Sequence, residues 1–88
     1  MSRYTTEITL EHDGPVSERQ AEDLLDRFGQ DGTGIESTEG SNIVRIGLAA
    51  ETETLEQAGR HWDELAGQAV ENEPGWTIKG ATGIVKAS

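Results

Sequence analysis

Asn42–Ala50 reads NIVRIGLAA, and its alternation decides the fold. Val44, Ile46 and Leu48 share one side of an extended chain, and Ile43, Arg45 and Gly47 share the other. Side chains of a strand alternate sides, so this stretch is a strand with one strongly apolar face. Past Glu51–Glu53 it leads into the clearest helix pattern of the chain. Leu55, Ala58, Trp62, Leu65 and Ala69 recur at intervals of three and four, which keeps them on one side of a helix. Gly59 and Ala66 flank that stripe, and a face of small residues lets a helix lie close to a sheet. Thr54 with Gln57 makes a capping box at its start, with Thr52 as the other candidate cap. The helix is expected over residues 55–71. Asn72–Gly75 ends it, because Pro74 cannot continue a helix.

Before the opening stretch, Glu39-Gly40-Ser41 reads as a hairpin turn, since glycine tolerates the positive φ that such turns need. The strand leading into it, residues 34–38, has one strong apolar residue, Ile35. Near the N-terminus Tyr4, Thr6, Ile8 and Leu10 alternate with Thr5, Glu7, Thr9 and Glu11, which predicts a strand over 4–11. His12-Asp13-Gly14-Pro15 breaks it. Ser17 and Gln20 form a second capping box, with Val16 and Ala21 at the staple positions. Ala21, Leu24, Leu25 and Phe28 are the buried stripe of a helix over 18–28, which Gly29 ends. The last strand is expected over 76–81, with Trp76 and Ile78 on one face and Thr77 and Lys79 on the other. Gly80–Gly83 weakens it as a bulge or bend, and Ile84-Val85 carries strand character on towards residue 86.

The order is strand, helix, strand, strand, helix, strand. It predicts one α+β domain over residues 1–88, a ferredoxin-like βαββαβ sandwich. Its four-stranded antiparallel sheet would run 4-1-3-2, with both helices on one face and the opening stretch as central strand 3.

Net charge is −10, from 17 acidic and 7 basic residues. Affinity for nucleic acid rests on Lys and Arg neutralising phosphates, so neither nucleic acid nor an anionic membrane surface is an expected partner. Acidity can serve solubility, contact with a basic partner, or imitation of nucleic acid in a basic groove. There is no cysteine, hence no disulfide and no thiolate site. MSRYTTEITL has no apolar leader segment and no run approaches a membrane span, so a cytoplasmic location is expected.

Chemistry is hard to place in this chain. His12 and His61 are the obvious ligands or bases, but no H-x-x-x-H or H-E-x-x-H spacing contains them. Glu51/Glu53, Glu71/Glu73 and Glu22/Asp23/Asp26 read as solvated faces, because a working carboxylate pair needs burial to separate its two acidities. Gly32-Thr33-Gly34 lacks the lysine and the setting of a phosphate loop. RNA-binding sandwiches of this shape need stacking aromatics on strands 1 and 3, where this chain would show Thr5, Glu7, Thr9, Ile43, Arg45 and Gly47. No catalytic residue, metal or cofactor is expected.

Surface recognition remains. The leading expectation is a small acidic non-catalytic interaction or regulatory module, of the kind a phage uses as an accessory protein against a host protein. Its interaction face would hold Ile43, Arg45, Glu7 and Lys79, and its partner would be a protein with a basic surface. The competing expectation is a homodimeric α+β-barrel-type protein that binds a small ligand or acts as an enzyme. Its pocket would lie between sheet and helices at His61 and Trp62.

Overall fold

The stretch Asn42–Ala50 lies in β3 (Ile43–Thr52), paired on both sides in a computed structural model that describes residues 1–38, 40–71, 73 and 75–87. Around it stand β1 (Ser2–His12), α1 (Glu18–Arg27), a 3-10 turn (Gly29–Asp31), β2 (Gly32–Ser37), α2 (Leu55–Glu71), β4 (Trp76–Ala81) and β5 (Val85–Lys86). The sheet runs β2-β3-β1-β4, and β5 pairs with β1 beyond the end of β4. Every pairing is antiparallel. The architecture is α+β, with one antiparallel sheet and two helices.

Register turns the sequence pattern into a core. Ile8 faces Ile46 and Leu10 faces Val44 across β1 and β3, while Ile35 of β2 faces Ile46 from the other side. Cross-strand partners point to the same face, so Ile8, Leu10, Val44, Ile46 and Leu48 make one apolar surface. All five are buried. Ala21, Leu24 and Phe28 of α1 belong to the same buried cluster, as do Ala58, Trp62, Ala66 and Ala69 of α2. Both helices therefore cover this face of the sheet and leave the other open.

The helix ends follow the residues written there. In α1 the Gln20 N–H donates to Ser17 Oγ, and the Ser17 N–H donates to Gln20 Oε1. In α2 the Gln57 N–H donates to Thr54 Oγ1, and the Thr54 N–H donates to Gln57 Oε1. Each box satisfies donors that a helix start leaves free. Thr52 is not the cap; its hydroxyl donates to the Thr54 carbonyl at 2.7 Å. Gly29 ends α1 with φ +59°. The buried arc of α2 is centred on Trp62, which moves Ala66 into the core and leaves Leu65 half-buried. Leu55, in the first turn, stays 45% exposed. The hairpin residue Glu39 and the helix-ending Asn72 and Pro74 lie outside the described residues.

Two bulges reset the alternation. One falls in β2 at Thr33, between the partners Gly32 and Gly34. The other falls in β4, where Thr9 faces Gly80 but Leu10 faces Ile78, so Lys79 is the extra residue with no partner. An inserted residue shifts everything beyond it by one place. Ala81 thus faces Ile8 and takes the register of the helix-covered side, and Lys79 has no place in the ladder of the open side. A strict alternation through β4 would put both on the open face. Past the bulge Thr82 closes onto β1: its N–H donates to the Glu7 carbonyl at 2.9 Å, and the Glu7 N–H donates to its hydroxyl at 3.0 Å. Strand pairing then resumes with Val85 opposite Thr5.

The Asp13 N–H donates to the Gly75 carbonyl at 2.9 Å, tying the end of β1 to the start of β4. Gly75 has φ +96°, and a Cβ there would stand 2.8 Å from Asp13 Oδ1. The Asp13 side chain is exposed and can swing clear, but the backbone strain stays with any L-residue. Gly75→Ala should therefore lower the unfolding free energy by more than about 1 kcal/mol, read by urea denaturation. An unchanged midpoint would mean that this turn relaxes without cost.

Candidate functional site

The open face is built in rows across the strands. Glu36, Arg45, Thr9 and Gly80 form one row, and Gly34, Gly47 and Glu7 form the next. Ile43, Glu11 and Thr77 flank the first row, while Ala49, Thr5 and Val85 lie beyond the second. Arg3 and Glu51 face each other at the far end. Small side chains dominate the middle, so the surface is flat where the two glycines meet.

Gly34 and Gly47 stand directly opposite each other and floor a shallow depression of about 280 Å³ walled by Glu7, Glu36 and Arg45. A Cβ on Gly47 would lie 2.8 Å from Thr33 Oγ1, so the bulged Thr33 leans over that position. A second depression, of about 270 Å³, lies on the other side of Arg45 against Ser37, Ser41 and Ile43. Arg45 thus stands exposed between two hollows. Its cross-strand partner is Glu36, and Glu7 is its diagonal neighbour. Among the described residues Arg45 makes no ion pair, and neither does half-buried Glu7.

Three of the four residues expected on an interaction face meet there: Ile43, Arg45 and Glu7. Ile43 is half-buried at the edge of the hairpin. Lys79 is exposed at the β4 bulge, outside the ladder. Val85, 60% exposed and opposite Thr5, joins the face unannounced. Its placement needs the register beyond the bulge, which alternation alone does not supply.

Among the described residues, neither His61 nor Trp62 lines any of the five concavities of the surface. Trp62 points into the core at 3% exposure. His61 is exposed, and its Nε2 lies 2.5 Å from Asp31 Oδ2, linking α2 to the 3-10 turn after α1. Surface concavities of about 240 to 440 Å³ are lined by other residues. One of them, about 250 Å³, joins groups from four parts of the chain. There the ring of His12 packs against Trp76 with centroids 4.7 Å apart, and Arg27 of α1 pairs with Glu73. Trp76 is half-buried at the start of β4, an edge strand of the sheet, and packs against the core. His12 and Trp76 are cross-strand partners, a pairing that the strand order alone makes available. His12 Nδ1 lies 3.1 Å from the Gly14 carbonyl and 3.3 Å from the Gly14 nitrogen, contacts that occupy the ring nitrogen nearest the turn.

Among the described residues no three of His, Asp and Glu stand together as a metal-ligand set. Among them, too, no helix is long and apolar enough to cross a membrane. No family model, curated protein or solved structure matches the chain.

Proposed function

We propose that this chain is a non-catalytic protein-interaction module whose binding surface is the open face of its sheet. One observation carries the reading: among the described residues Arg45 and Glu7 stand on that face without ion-pair partners, beside a hollow floored by facing glycines, with Ile43 in a second hollow on the other side of Arg45. Arginine is enriched at protein contact surfaces and among the residues that carry their binding energy. The element and strand orders fit a ferredoxin-like sandwich, in which helices occupy one sheet face and contacts are left to the other.

The charge pattern refines the partner. The helices carry eight acids against three bases, all exposed, whereas the open face mixes Arg3 and Arg45 with Glu7, Glu11, Glu36 and Glu51. A uniformly basic partner would suit the helix side. The open face suits a partner of mixed charge. The ligand-binding reading draws no comparable support, since His61 is engaged with Asp31 and Trp62 is packed in the core.

Ile43→Asp tests the reading. It places a charge at the edge of the face without touching the helix-covered side. Partner capture from the native host should fall at least ~10-fold, while thermal unfolding stays within the narrow range typical of surface changes. Equal capture by the variant and the parent would sink the reading.

A further inference from the structure

We infer that the occupant of the open face is a second copy of this chain, packed sheet to sheet; this rests on reading that face as the interaction surface. At its centre, where Arg45 and Glu7 are diagonal neighbours, the face is electrostatically complementary to itself, while Glu11, Glu36 and Glu51 outnumber Arg3 around it. A two-fold pair brings the same patch to itself, so each contact occurs twice. Arg45 of one copy then meets the partner's Glu7, each without an ion pair among the described residues, and the reciprocal contact repeats it. Helix side against helix side would set eight acids against eight, with three bases on each copy to offset them.

Shape and area agree. Around Arg45 and Glu7 the face carries Gly34, Gly47, Thr5 and Thr9, whose small side chains let two sheets approach closely. Ile43 and Val85 stand at opposite corners and supply apolar contact. The molecule measures 38 × 22 × 19 Å, so its largest projection is close to the roughly 800 Å² per partner that a stable interface needs. Nearly the whole face must be covered, which makes the dimer reversible and sensitive to single substitutions at its centre.

The test is the solution mass of the full chain, measured by sedimentation from about 1 μM to 1 mM. The parent should pass from monomer to dimer within that range. Arg45→Glu should weaken association at least ~10-fold by setting acid against acid, and Glu7→Arg should do so by setting base against base. An equimolar mixture of the two variants should regain the parent's association, because both cross-contacts become opposite in sign. Ile43→Asp, which leaves both charges in place, should also be monomeric and serves if Glu7→Arg does not fold. Circular dichroism confirms the fold of each variant. A parent that stays monomeric throughout overturns the second copy as occupant but leaves the interaction module to the host-capture experiment. A dimer that survives Arg45→Glu and Ile43→Asp, or a mixture of folded charge variants that fails to pair, places association on another surface and also overturns it.

Discussion

Trp62→Ala should lower the unfolding free energy by about 3–5 kcal/mol, the range for removing a buried aromatic ring from a core. Trp62 is the largest side chain that α2 contributes to the core, and it is 3% exposed. Its neighbours along the helix stripe are Ala58, Ala66 and Ala69, which cannot expand to refill the space. A chain of 88 residues has a total stability of roughly 4–13 kcal/mol, so this one truncation takes a large share of it. The contrast with Trp62→Phe is the informative part. Trp62 Nε1 is buried and has no hydrogen-bond partner among the described residues. An unsatisfied buried donor costs about 1–3 kcal/mol. Phenylalanine removes that donor and keeps one ring, so the lost contact and the relieved desolvation oppose each other. Trp62→Phe should therefore stay within about 1 kcal/mol of the parent in urea denaturation. If it is as damaging as alanine, Nε1 has a partner and the core is wetter than its lining suggests.

The fold was legible in the sequence because local and long-range signals agreed. The same alternation that marks β3 also sets its pairing with Ile8 and Leu10, and both capping boxes appear as written at Ser17 and Thr54. Helix stripes were legible less sharply. Leu55 fits the period of α2, but a residue in a first turn is buried only if something lies beneath it. The open face was legible in β1 and β3 and failed in β4. Lys79 looks identical, as a sequence, whether or not a strand bulges there, since a bulge is decided by pairing between chains of atoms far apart in sequence. For the same reason the ends of the sheet escaped notice. His12 meeting Trp76, Arg27 meeting Glu73 and His61 meeting Asp31 each join two elements, and no spacing within one element encodes them. Asp31 makes His61 part of the tie between α2 and the turn after α1.

Ile46→Ala should cost about 2–5 kcal/mol, and the cause is its place between two ladders. Ile46 faces Ile8 in β1 and Ile35 in β2, and it is wholly buried. Its removal opens a gap between three strands and the helices above them, where the backbone is held by pairing on both sides and cannot collapse inward. The cost should therefore sit toward the upper part of that range, since a site that cannot relax keeps its cavity. Three places earlier in the same strand, Ile43→Asp should change stability by no more than about 1 kcal/mol, because its side chain belongs to the open face. The pair is a sharp test of the face assignment on which the whole functional argument depends. A one-residue slip of β3 against its neighbours would exchange the two faces and reverse the order of the two effects. Chemical denaturation of both variants against the parent decides it: a large loss at Ile43 with a small one at Ile46 would move Arg45 and the glycine hollow into the core and leave no open face to bind anything.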